Sequence, residues 1–141
     1  VNVAVELGRP GISASFEDVQ KVTRALARLD VEFQKENPVT SLFTSDRNGD
    51  LNPEVLGERV LSALVKFEIP VSRVPELVEA LEEAGKTVDT VFSAALAEPI
   101  RPGESEPELI QILEENGIFY RPNGKTNVGL GRPFLPVEAA S

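Results

Sequence analysis

The chain has 141 residues, with 14 Lys and Arg against 23 Asp and Glu, and it contains neither histidine nor cysteine. That length suits one domain with a core of its own. Lack of cysteine removes disulfide, thiol-nucleophile and thiolate-metal chemistry, and lack of histidine removes zinc, haem and Ser-His-Asp chemistry, which leaves carboxylate, lysine, hydroxyl or calcium and magnesium chemistry.

A net charge of −9 argues against direct nucleic-acid binding, because phosphate contacts need a basic surface. The charge is uneven. Eleven acids lie between Glu76 and Glu115 against Lys86 and Arg101, whereas Arg121, Lys125 and Arg132 follow Gly117 against Glu138 alone. Such a split suits either a solvated acidic surface or an acidic face meeting a basic partner. No stretch is long and apolar enough for a membrane span, and no charged and apolar leader opens the chain, so a soluble protein without an export signal is expected. Compartment and true N-terminus stay open.

In chain order, Val1, Val3, Val5 and Leu7 alternate as one face of a strand, which G-R-P-G at residues 8–11 breaks. Ser15 reads as an N-cap, with Glu17 and Asp18 in the first turn. Val19, Val22, Leu26, Leu29 and Phe33 then predict a helix of about 20 residues, ended near Asn37-Pro38. Asn52 as cap and Pro53 at the first position predict a second helix, with Leu56, Val60, Leu64 and Phe67 inward. A third starts around Pro75, carries Leu77, Val78 and Leu81, and stops at Gly85. Thr87 caps a fourth, through Val88, Val91, Phe92, Ala95 and Leu96 to Pro99. Ser105 and Glu108 form a capping box for a short fifth, with Leu109, Ile110 and Leu113.

Residues 118–130 read as a hairpin around Pro122-Asn123-Gly124, and an extended tail with two further prolines follows. The expected fold is therefore mainly α. It has four or five bundled helices over 15–116, an extended N-terminal arm over 1–14, and a small C-terminal β-hairpin and proline-containing tail over 117–141. The N-terminal strand is a candidate to pair with that hairpin.

One stretch points at a specific chemistry. In S-L-F-T-S-D-R-N-G-D-L-N-P-E-V-L-G-E (residues 41–58), Asp46, Asn48 and Asp50 alternate, Phe43 precedes them and an apolar-periodic segment follows. This resembles an EF-hand of the calmodulin-like class, and residues 79–96 echo it more faintly, so the resemblance covers roughly residues 41–97. It implies a helix-loop-helix pair, with Asp46, Asn48 and Asp50 as the first, third and fifth calcium ligands. The pattern is broken where such a loop needs its sixth-position glycine, and the twelfth position falls on Val55 or Gly57, neither of which ligates. Glu54 and Glu58 flank that position and complete the candidate set. Two readings stand: a working calcium site, or a metal-free remnant in which Asp-Arg-Asn-Gly-Asp is simply a good turn sequence.

Other motifs carry less. Gly124-Lys125-Thr126 ends like a phosphate-binding loop, but the earlier glycine that motif requires falls on Phe119. The pairs Glu82/Glu83 and Glu114/Glu115 suit a solvated helix face. Phe119 and Tyr120 in the hairpin, and Phe134 and Leu135 between tail prolines, are candidate partner anchors, as well as candidate core contacts. The expected function is a non-enzymatic interaction or assembly protein, a scaffold or adaptor in a larger complex of the virion type or similar. Its arms and acidic face would engage a protein partner or a second copy. The alternative is a calcium-responsive EF-hand-like module; no other cofactor is implied.

Overall fold

The N-terminal alternation lies at the centre of the molecule. Val3, Val5 and Leu7 are buried along one side of strand β1 (Asn2–Leu7), while Asn2, Ala4 and Glu6 take the other side. The computed structural model describes residues 1–9, 11–122 and 126–131, the last group as backbone only. After β1 come β2 (Ala14–Ser15), α1 (Phe16–Ala27), β3 (Glu32–Phe33), β4 (Phe43–Ser45), β5 (Asp50–Leu51), β6 (Arg59–Val60) and β7 (Ala63–Glu68). Then follow α2 (Val74–Gly85), β8 (Val91–Ala97), α3 (Glu108–Glu115), β9 (Arg121–Pro122) and β10 (Thr126–Gly131). Single 3₁₀ turns occupy Thr40–Leu42, Pro53–Val55 and Val71–Arg73.

This is a mixed α/β fold, which corrects the expectation of a helical bundle with extended arms. Six strands form one antiparallel sheet in the order β3-β7-β1-β8-β10-β9. Both β7 and β8 run antiparallel to β1, hence parallel to each other, and α2 connects them across β1 in a split β-α-β unit. The N-terminal segment is thus the inner strand of a sheet and not an arm. It pairs with β7 and β8, and β8 stands between it and β10, so the anticipated pairing with the C-terminal hairpin does not form. The two strands around Pro122-Asn123-Gly124 do pair, Thr126 with Pro122 and Asn127 with Arg121, while residues 123–125 lie outside the described residues.

Two predicted helices are strands, for one physical reason. In A-L-V-K-F-E (63–68) the spacing of Leu64 and Phe67 imitates a helix, but Ala63, Val65 and Phe67 are the buried set, at period two. In V-F-S-A-A-L-A (91–97) alanine favours helix locally, yet Phe92, Ala94 and Leu96 are buried and Val91, Ser93 and Ala95 are not. Tertiary pairing on both sides of β1 overrides the local preference. The Asn52 cap and Pro53 start are real, with Asn52 Oδ1 accepting from the Glu54 N–H, but they open only the 3₁₀ turn Pro53–Val55.

Helix α1 begins at the expected cap, since Ser15 Oγ accepts from the Asp18 N–H at 3.1 Å. It ends at Ala27, well short of Pro38. Asp30 takes a left-handed φ of 52°, which turns the chain so that Phe33 joins the sheet opposite Phe67. Helix α2 matches its expected start and end closely. Helix α3 begins at Glu108 without help from Ser105; Glu98, just past β8, instead accepts from the Leu109 N–H at 2.7 Å.

Among the described residues, all three α-helices lie on one side. Val19, Val22 and Leu26 of α1 and Leu77, Val78 and Leu81 of α2 cover the buried rows of β1, β7 and β8, and Leu109 and Leu113 of α3 extend that core. Each such aliphatic side chain contributes about 1.5–3 kcal/mol through burial.

Candidate functional site

The D-R-N-G-D segment is the tip of a hairpin joining β4 to β5, with no α-helix on either side between α1 and α2. Gly49 has a φ of 70°, and its N–H donates back to the Ser45 carbonyl at 3.0 Å. The tip is clamped against α1. A Cβ at Gly49 would stand 2.3 Å from the Thr23 carbonyl oxygen, so only glycine allows this approach. Thr23 Oγ1 donates to the Gly49 carbonyl at 2.7 Å, and buried Gln20 Oε1 accepts from the Leu51 N–H at 3.0 Å.

This geometry separates the candidate calcium ligands. Asp46 lines a small recess with Phe33, Lys35 and Thr40, whereas Asn48 and Asp50 face a second recess with Arg24, Arg28 and Arg47. The Asp50 carboxylate receives Arg24 Nε at 2.7 Å. Glu54 and Glu58 are exposed beyond β5, and the Glu58 backbone carbonyl serves the Phe16 N–H. Among the described residues, no three acidic side chains come close enough to hold a metal ion.

The partner-anchor candidates also divide. Phe119 is 75% exposed. Tyr120 is half-buried against the core edge and its hydroxyl donates to Glu114 Oε1 at 3.0 Å. That bond to a carboxylate, with some burial and the nearby charge, holds the phenol above its usual pKa. Phe134 and Leu135 lie outside the described residues.

Buried polar groups are committed to structure. Asp18 is 4% exposed, yet its carboxylate receives Lys21 Nζ at 3.0 Å and the Asp89 N–H at 3.3 Å. Lys21 also donates to the Thr87 carbonyl at 2.9 Å, so this pair ties the start of α1 to the α2–β8 loop. Among the described residues, every buried side-chain nitrogen and oxygen has a hydrogen-bond partner. On the surface, hydrogen bonds from Arg73 hold the Glu76 carboxyl below its ordinary range, while the third Arg73 nitrogen caps the end of α1 at the Leu29 carbonyl.

Among the described residues, what stays open is the second face of the sheet, and no helix covers it. Its rows follow from register: Lys66, Ala4 and Ala95 stand side by side, as do Glu68, Asn2 and Ala97. Glu32 lies beside Glu68 on the neighbouring edge strand. Together with Gln34 and Lys35 these residues line a groove of about 680 Å³. The floor is small-residue backbone, and the rim carries carboxylates and ammonium groups. Sequence reasoning missed this site because it read β7 and β8 as helices. The period-two pattern of residues 63–68 was the available signal.

A scan against protein-family models, a search of curated proteins and a search of solved structures each found no match.

Proposed function

We propose that this chain is a non-enzymatic interaction module that seats an extended segment of a protein partner in the groove on its open sheet face. The observation that carries this reading is the contrast within single strands. Ala94 is sealed under the helices, whereas Ala95, the next residue, lies on the groove floor. Ala4, Ala95 and Ala97 leave room for another backbone to approach closely, as larger side chains on a central strand would not. Lys35 and Lys66 together with Glu32 and Glu68 offer both signs of charge along the rim, which suits the alternating side chains of an extended peptide. The chain's lack of histidine and cysteine, and the full engagement of its buried Asp18, support a binding rather than a catalytic role. Where membranes are concerned, no helix among the described residues is long and apolar enough to cross one.

Site-specific photo-crosslinking tests the reading. A photoreactive residue at Ala97 or Lys66 should yield a discrete protein adduct in the native extract, and Ala95→Arg in the same chain should abolish it. A photoreactive residue at Glu79, on the outer side of α2, should give none. Equal labelling from Glu79, or adducts indifferent to Ala95→Arg, would refute a groove-borne partner.

A further inference from the structure

The recess at the tip of the β4–β5 hairpin has the opposite sign to the one its sequence suggests. It measures about 300 Å³ and is lined by Arg24, Ala27, Arg28, Arg47, Asn48 and Asp50. In a chain of net charge −9 with 14 basic residues, three arginines line this one recess. Only Arg24 is neutralised, through its 2.7 Å contact with Asp50. Among the described residues, the guanidiniums of Arg28 and Arg47 make no hydrogen bond or ion pair with another side chain. Two positive charges are therefore left uncompensated.

The negative end of the α1 dipole accounts for basic residues near the helix C-terminus, hence for Arg24 and Arg28. It does not account for Arg47, which reaches the same recess from a separate hairpin. That hairpin is held rigidly in place by Thr23 and Gln20, and by a glycine contact that admits no side chain. The three arginines thus reach the recess from two elements whose relative position is set by buried contacts. Arginine forks present paired N–H donors suited to phosphate oxygens, and a phosphate monoester carries about two negative charges near neutral pH.

We propose that Arg24, Arg28 and Arg47, with Asn48 at the rim, form a phosphate-binding site, independent of the sheet groove. The overall negative charge does not preclude this, since exposed charges more than about 10 Å away are largely screened at moderate salt. A free phosphate monoester and a phosphorylated side chain would present the same group.

The test is a titration followed by amide and arginine side-chain NMR, at an ionic strength of about 0.1 M, where distant charges are screened. The probes are inorganic phosphate, a phosphoserine peptide and its unphosphorylated twin. Saturating shifts centred on residues 24–28 and 47–50 are expected, with Arg28→Gln and Arg47→Gln each weakening binding by about tenfold or more. Arg47→Lys should fall between, since it keeps the charge and loses the fork. Arg9→Gln should leave binding unchanged. Both Gln variants remove exposed side chains and should keep the wild-type amide spectrum elsewhere. Tighter binding of the phosphopeptide than of inorganic phosphate identifies a modified protein as the source; equal binding identifies a small molecule. No saturable response to either phosphate probe overturns the site, as do shifts that survive both Gln substitutions or saturation of the turn by calcium instead.

Discussion

The two faces of the sheet are built from the same strands and differ in almost every physical respect. On the inner face, Val3, Val5 and Leu7 join Val65, Phe67, Phe92, Ala94 and Leu96 in one apolar core with α1 and α2. On the outer face, the intervening residues Ala4, Lys66, Glu68, Ala95 and Ala97 line a groove with charge at its rim. A one-residue step along β8 moves a side chain from the sealed core to the groove floor. Among the described residues, the sealed apolar rows lie on one face and the groove on the other.

The largest expected effect comes from placing the same substitution on each side. Ala94→Asp buries a carboxylate without a partner and should cost about 3–5 kcal/mol, enough to unfold a domain of ordinary stability. Ala95→Asp should change stability by no more than about 0.5 kcal/mol. Urea unfolding of the two variants decides it, and equal losses would mean that the outer face is also covered.

Next comes the hairpin clamp. Gly49→Ala would force a Cβ to within 2.3 Å of the Thr23 carbonyl at a left-handed φ, and should cost about 2–4 kcal/mol by the same measurement. A smaller loss, about 1–3 kcal/mol, is expected for Gln20→Ala, which leaves the buried Leu51 N–H without its acceptor. Amide exchange at Leu51 should quicken in that variant.

The smallest effect is a titration. Tyr120 is the chain's single tyrosine and there is no tryptophan, so tyrosinate absorbance reports it alone. Its hydrogen bond to Glu114 favours the protonated phenol in the folded state. The linked stability is present below the usual tyrosine pKa and is lost as pH rises through the raised one. Glu114→Gln should move the absorbance transition back toward about 10. A transition unmoved by that substitution would mean the contact is absent in solution.

Local signals in the sequence were legible where the structure uses them locally. The Ser15 cap, the Asn52 cap and the limits of α2 depend on neighbouring backbone, and they read correctly, although the helix expected after Asn52 is only a 3₁₀ turn. Residues 63–68 and 91–97 did not, because their conformation is decided by pairing with β1, far away in the chain. Their leucines and alanines favour helix locally. The D-R-N-G-D turn was visible as a turn, but its chemistry was not. Asp50 meets Arg24 only because the hairpin folds back on α1, and no spacing within residues 46–58 encodes that contact. Likewise the groove is a property of register between strands, whose residues stand about sixty positions apart from Ala4 to Lys66 and ninety from Ala4 to Ala95.

In the proposed division of labour, the outer sheet face binds while the inner face folds. That division is tested most directly by measuring partner affinity and urea midpoint together for Ala95→Arg, with the partner captured through Ala97 or Lys66. An unchanged midpoint and binding weakened at least about tenfold are expected, as blocking a groove floor should do. Wild-type affinity in a fully folded Ala95→Arg protein would contradict it.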